Sequence, residues 1–202
     1  MNAWPDDDAW RMPAEPGAGG EGFGRLVAAV RDLQDAITAA RLSSPEAHAV
    51  AARLEAVLED LDAFAVPEEL QIAGRRPDLP GRGQFFAPVI RWEVLTGEGV
   101  TAWVRFGRYY LGANSAAHGG AIPLVFDEVM GEVANRDRPR SRTAYLKVDY
   151  RRITPVGRDL RVEAAVVRQE GRKRFVEGAI YDDADLLCEA TALFVELRPG
   201  QP

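Results

Sequence analysis

The chain is poor in the residues that most hydrolases and metalloproteins rely on. In 202 residues it has one cysteine, Cys188, and two histidines, His48 and His118. A single cysteine excludes an internal disulfide framework and any multi-cysteine metal site. Two histidines exclude a histidine-rich metal centre. No Gly-x-Ser-x-Gly elbow is present to carry a serine triad. No apolar run approaches the ~20 residues of a membrane helix. Residues 1–8, with three consecutive aspartates, have neither the basic start nor the apolar core of a signal peptide. The expectation is a cytoplasmic protein without membrane insertion. Positive charge is not in excess either. The 25 Lys and Arg stand against 31 Asp and Glu, a net charge of −6, which argues against nucleic-acid binding through overall charge.

Hydrophobic residues make up 47% of the chain, enough for a real core. The net charge hides an asymmetry. Residues 136–174 hold 13 basic and 5 acidic side chains, whereas residues 1–135 hold 11 and 20. A basic segment inside an acidic chain is either an anion site or a set of solvated strand faces.

The pattern divides the chain into four parts. Residues 1–21, with Pro5, Pro13, Pro16 and a glycine run, read as a flexible arm. Residues 22–69 read as two helices. Phe23, Leu26, Val27, Val30, Leu33 and Ile37 form the first stripe, and Val50, Leu54, Val57, Leu58 and Leu61 the second. Ser44 is the expected cap between them, with Pro45 at the first helical position. This predicts a helical hairpin whose stripes are buried against something. Residues 70–84 are a linker rich in Pro and Gly. From residue 85 to 198 the period changes to two: two strands flanking Thr96–Gly99, a helix near 119–135, then strands near 142–151, 158–169, 173–182 and 186–197. The predicted class is α+β, an antiparallel sheet of five or six strands wrapped on one helix. The open sheet face and edges call for a homodimer or a dimer of dimers.

The helix at 119–135 is the informative element. Its start reads Asn114-Ser115-Ala116-Ala117-His118-Gly119-Gly120. Glycines there let a ligand approach bare backbone N–H groups at the positive end of the helix dipole. Such a place suits an anion, or a carbonyl oxygen that gains charge in a transition state. Two acids follow. Glu128, in row with Glu132 and Asn135, is expected on a solvated face. Asp127, beside Pro123, Leu124, Met130 and Gly131, is expected on the packed side. Burying an acid is costly unless it is hydrogen-bonded, so Asp127 is either a catalytic acid or a structural one. Cys188 sits mid-strand and reads as a buried core cysteine.

His118-Gly119-Gly120, with Asp127 nine residues after the histidine and a strand meander to follow, resembles the hotdog-fold acyl-CoA thioesterases of the PaaI-like type. The resemblance covers about residues 85–197. It implies hydrolysis of an acyl-CoA thioester to free acid and CoA, with coenzyme A as part of the substrate and no other cofactor or metal. It implies that the Gly119 N–H polarises the thioester carbonyl. Asp127 is then a nucleophile or the base that activates water, and Thr143 helps hold that water. His118 orients the loop or lines the site. Gly120 and Asn114 fall on the substrate loop, and Arg151, Arg152 and Arg158 become candidates for the CoA phosphates. Thioester hydrolysis needs a nucleophile, an oxyanion site and a held thiol, which a chain short of His and Cys still supplies. Two alternatives stay open: a non-catalytic acyl-CoA-binding sensor, and hydratase or dehydratase chemistry on the same fold.

Overall fold

The computed structural model describes residues 18–201. Three helices, α1 (Gly20–Ala39), α2 (Ser44–Asp62) and α3 (Ala121–Asn135), accompany six strands. These are β1 (Ile90–Leu95), β2 (Gly99–Arg105), β3 (Ser141–Tyr150), β4 (Asp159–Glu170), β5 (Lys173–Asp182) and β6 (Asp185–Glu196). The strands form one antiparallel sheet in the order β1-β2-β4-β5-β6-β3. The meander β4-β5-β6 is thus extended by β2 and β1 on one side, and β3 returns to the far edge beside β6.

Alternation decides which sheet face is dry. Val100, Ala102 and Val104 of β2, Leu160 and Val162 of β4, Val176 and Ile180 of β5, and Ala190, Ala192 and Phe194 of β6 all point to α3 and are buried. The helix answers with Ile122, Val125, Phe126, Val129, Met130 and Val133, a stripe at steps of three and four. Gly178 lets the two layers meet. A Cβ there would lie 3.1 Å from the Glu163 carbonyl oxygen and 3.4 Å from the Phe126 ring.

Four pairings carry register irregularities, of which two bear on the site and its neighbours; the others fall between Trp92 and Val94 of β1 and between Ile180 and Tyr181 of β5. β4 carries an irregularity between Val166 and Arg168, and β3 carries one between Thr143 and Tyr145, where Ala144 is the extra residue. The β3 bulge shifts the phase of that strand by one residue. Ser141 and Thr143 face α3 before it, whereas Leu146, Val148 and Tyr150 face the same side after it.

The N-terminal segment departs from the expected hairpin. Ser43, one residue earlier than Ser44, caps α2, because its backbone N–H and hydroxyl both reach Glu46 Oε2, at 2.8 and 2.7 Å. α2 has no buried residue, so Val57, Leu58 and Leu61 stay exposed. α1 instead docks on the sheet domain. Arg31 donates to the Gln84 and Ala87 carbonyls at 2.6 and 3.1 Å, and the Tyr109 N–H donates to Asp35 Oδ1 at 2.8 Å. A Cβ on Gly107 would fall 2.3 Å from the Asp35 carboxylate, so the absence of a side chain there makes that docking possible. The arm at 1–21 lies, up to residue 17, outside the described residues.

Candidate active site

The loop before α3 is held at several points. The His118 N–H donates to the Tyr110 carbonyl at 2.6 Å, and the Ala117 N–H to the Thr154 carbonyl at 2.7 Å. Asn114 and Ser115 take left-handed conformations (φ 51° and 60°), which turn the chain back towards the helix. His118 is exposed, and its Nδ1 accepts the Gly120 N–H at 3.0 Å while its carbonyl accepts from Ala121 at 2.8 Å. The imidazole therefore shapes its own turn. That arrangement uses the N–H groups of Gly120 and Ala121 locally and leaves the Gly119 N–H with no acceptor among the described residues. The Gly119 carbonyl accepts from the Tyr150 hydroxyl at 2.7 Å, which ties the helix start to the end of β3.

Asp127 is not on the packed side. It is exposed on the flank of α3 that faces β3, because the buried stripe runs through residues 122, 125, 126, 129, 130 and 133 and leaves 127 to one side. There Thr143 Oγ1 donates to Asp127 Oδ1 at 2.8 Å. Asp127 Oδ2 takes no partner among the described residues. Glu128 is not a freely solvated acid either. Its side chain is 26% exposed and grips Arg82 of the linker at 2.8 and 3.2 Å. That grip holds the Arg82 guanidinium more firmly protonated than usual.

Asp127 and Thr143 open into a cavity of about 770 Å³, within the size range of small-molecule sites. One wall is α3 from Asp127 to Asn135, another is β3 from Ser141 to Thr143, and Phe194 of β6 also lines it. The remaining wall comes from the linker, with Gln71, Arg75 and Arg82, and from Phe85 and Phe86 just after it.

The arginines of the basic segment are paired rather than bare. Arg151 meets Glu189 (Nε to Oε1, 2.9 Å), Arg152 meets Asp185 at 2.8 Å, and Arg158 meets Asp182 at 2.9 Å. Arg161 meets Glu163, and Arg168 meets Glu170. These arginines are answered by carboxylates of the same strand, of a neighbouring strand and of turns. Arg151 and Arg152 nevertheless follow Tyr150 directly, so they stand next to the helix start that Tyr150 holds. Arg158 lies further along the chain, past the Gly157 N–H bonded to the Phe106 carbonyl.

Cys188 is fully buried against Thr154, Sγ to Oγ1 3.2 Å, and burial pushes its thiol up, away from a reactive thiolate. Among the described residues no helix is long and apolar enough to cross a membrane. Sequence reasoning missed Tyr150 and Arg82. Strict alternation puts Tyr150 on the opposite face from Thr143, and nothing in a Pro/Gly linker marks Arg82 as a partner of α3.

Residues 114–189, from the loop before α3 to β6, match the model of the thioesterase superfamily. Over 95 residues (46% of this chain) the sequence is 38% identical to the acyl-coenzyme A thioesterase THEM4 of Xenopus laevis, covering 43% of that protein. Over 98 residues (48% of this chain) it is 35% identical to the Mus musculus protein of the same name, covering 42% of it. The chain thus spans less than half the length of these curated relatives. Among solved structures, a thioesterase superfamily protein, RHA08564, superposes with a TM-score of 0.74 at 24% identity, covering 86% of this chain and 94% of that one. Its coverage exceeds the share of residues 85–198, so part of the N-terminal segment has a counterpart there. A Streptococcus mutans protein, smu.793, whose structure holds acetyl CoA, superposes at 0.50 with 17% identity, covering 52% of this chain and 86% of its own. Residues 114–189 therefore carry the thioesterase superfamily's sequence pattern, set in the hotdog fold that its members share.

Proposed function

We propose that this chain hydrolyses acyl-CoA thioesters to the free acid and CoA. The observation that carries the reading is the Asp127–Thr143 pair. It sets a carboxylate with one committed oxygen, and one oxygen without a partner among the described residues, beside a cavity. In the base form of the mechanism, Asp127 Oδ2 takes a proton from a water as that water adds to the thioester carbon. The collapsing intermediate then expels the CoA thiolate, which recovers the proton from Asp127. In the nucleophile form, Oδ2 adds to the carbon itself, the thiolate leaves, and water cleaves the resulting anhydride. Both forms use Thr143 to orient Asp127 and a backbone N–H to take the charge that grows on the carbonyl oxygen.

The Gly119 N–H is the donor proposed for that oxygen. From Ala121 to Asp127 the helix rises about 9 Å, so the reading includes a second copy of the chain. Docked along the unpaired edge of β3, that copy would bring its own helix start towards Asp127. The exposed Tyr145 on this edge supports such a contact. His118 shapes the donor turn, Gly120 and Asn114 border it, and Arg151 and Arg152 are placed to exchange their carboxylate partners for CoA phosphates. Arg158 is proposed for the same role at the far end of the nucleotide.

The test is thiol release over a panel of acyl-CoAs with the wild type and Asp127→Ala. Release by the wild type, reduced at least ~10²-fold in the variant, is expected. Acyl-CoA binding without release by the wild type would turn the reading into that of a ligand sensor.

A further inference from the structure

The helix α1 and the short turn at Arg108–Tyr110 lie outside residues 114–189, which carry the superfamily's pattern, and yet they hold the loop that leads into α3. Arg31 and Asp35, one turn apart on α1, share a face of that helix and secure Tyr110 from two directions. Asp35 Oδ1 accepts the Tyr109 N–H at 2.8 Å, one residue before Tyr110. Arg31 donates to the Gln84 and Ala87 carbonyls, and between those two the Phe86 carbonyl accepts from the Tyr110 hydroxyl at 2.9 Å. Tyr110 is thereby fixed at its backbone and at the tip of its ring.

Fixing Tyr110 fixes the approach to Gly119. The Tyr110 carbonyl accepts the His118 N–H at 2.6 Å, Leu111 and Ala117 form an antiparallel bridge, and the Gly112 N–H donates to the Ala116 carbonyl at 2.9 Å. Residues 110–112 are paired in this way with residues 116–118, and Gly119 follows directly. Two hydrogen bonds, joined by the backbone of Tyr109 and Tyr110, connect the Asp35 carboxylate to the His118 amide.

The Asp35 contact is built into the chain on both sides. Asp35 stands towards the C-terminal end of α1, where the helix dipole disfavours an acid, so its place there has a local reason. On the other side stands Gly107. Its backbone, at φ −74° and ψ 179°, is open to any residue, so conformation does not require glycine. Space does, because a Cβ at Gly107 would fall on the Asp35 carboxylate.

We infer that α1 is a positioning element for the candidate active site: through Tyr110, Asp35 holds the turn that presents the Gly119 N–H to the thioester carbonyl. This rests on the acyl-CoA reading above. Asp35 is a positioning residue, and its effect falls on the donor to the developing oxyanion. That interaction strengthens in the transition state, so the effect belongs to kcat more than to KM.

The experiment measures thiol release from acyl-CoAs and amide exchange in the full chain. It compares the wild type, Asp35→Ala, Asp35→Asn, Gly107→Ala and the double variant Gly107→Ala/Asp35→Ala. Asp35→Ala and Gly107→Ala are each expected to lower kcat on the order of ten-fold and to change KM by about two-fold or less. Both should speed exchange of the His118 amide while the β5 amides keep wild-type protection. Asp35→Asn retains an acceptor oxygen and restores most of kcat. In the double variant the carboxylate that the Gly107 methyl displaces is already gone, so the loss matches that of Asp35→Ala alone. Wild-type kcat and wild-type His118 exchange in Asp35→Ala would overturn the inference. Losses that multiply in the double variant, or an Asp35→Asn protein as impaired as Asp35→Ala, would overturn it too. If the wild type releases no thiol from any ester, it is the acyl-CoA reading that fails. Faster His118 exchange in Asp35→Ala and Gly107→Ala then still sustains the positioning of the turn, and unchanged exchange overturns it.

Discussion

Thr143 and Tyr150 lie seven residues apart in one strand and yet both bond to the same helical element. Thr143 Oγ1 donates to Asp127 at 2.8 Å, and the Tyr150 hydroxyl donates to the Gly119 carbonyl at 2.7 Å. An odd separation places two side chains on opposite faces of a regular strand. The bulge at Ala144 removes one step of the alternation and puts both on the α3 side. The strand therefore fixes two things at once, the orientation of the Asp127 carboxylate and the position of the turn at Gly119.

Thr143→Val keeps the shape and loses the hydroxyl, so it isolates the hydrogen bond to Asp127. A bond to a charged group contributes about 1.5–3 kcal/mol, and the expected loss in kcat/KM is on the order of ten-fold or more. Thr143→Ser restores the hydroxyl and most of the activity. Equal losses in both variants would show that the methyl, not the bond, matters.

Tyr150→Phe removes the tie between β3 and the helix start without altering the ring. Its side chain is exposed, so the cost in global stability is about 1 kcal/mol or less, read as a small fall in Tm. The larger effect is expected at the turn. Amide exchange at Gly119 and Gly120 should quicken while the β4–β6 amides stay protected.

Much of this architecture is legible in the sequence because it depends on periodicity. The α3 stripe and the alternation in β2, β4, β5 and β6 are set by burial, and burial leaves a pattern. The site is less legible where it depends on an exception. Asp127 reads as packed because its neighbours in sequence are apolar, but those neighbours belong to the adjacent stripe of the helix. The Ala144 bulge has no compositional mark. The arginines of residues 136–174 read as a positive field, although acids answer many of them, some two residues away in the same strand (Glu163 for Arg161, Glu170 for Arg168) and some from a distant strand (Glu189 for Arg151, Asp185 for Arg152). α2 is the opposite case. Its stripe is clear in the sequence, and among the described residues it buries no side chain.

Arg174 tests the far end of α3. It is fully buried, donates to the Ala134 and Pro139 carbonyls at 2.9 and 2.6 Å, and meets Glu196 at 2.8 Å. Burial pulls its pKa down and Glu196 acts against that, so the charge is kept by the pair. Arg174→Ala leaves the Ala134 and Pro139 carbonyls without this donor and the partly exposed Glu196 without its partner, and leaving a buried polar group unsatisfied costs about 1–3 kcal/mol. Denaturant unfolding is expected to show that loss. Arg174→Met should recover part of it by filling the space.

The start of α2 is one place where local stability responds to acid. Two hydrogen bonds from Ser43 hold the Glu46 carboxyl below the ordinary glutamate range. A carboxyl whose pKa is depressed by folding stabilises its element above the unfolded pKa, and that contribution fades as pH falls through the folded value. The first turn of α2 should therefore fray in mild acid, seen as faster amide exchange at residues 44–47. Ser43→Ala should fray it at neutral pH and remove the acid dependence. Global unfolding should not change in either case, since α2 buries nothing.

Substitution of Arg151 and Arg152 tests the proposed contact of the basic segment with CoA phosphates. Each is about half exposed and held by a single acid, Glu189 or Asp185, a pairing of the kind that contributes little to stability. An incoming phosphate offers more charge and more acceptor oxygens than one carboxylate. On the proposed function, each arginine exchanges its carboxylate for a CoA phosphate near the turn that Tyr150 holds. Alanine at both positions should raise KM for CoA esters several-fold while leaving Tm nearly unchanged. Pantetheine esters, which lack the nucleotide phosphates, should respond much less. Equal effects on the two ester classes would assign both arginines to holding the end of β3 against β6 rather than to holding the CoA phosphates.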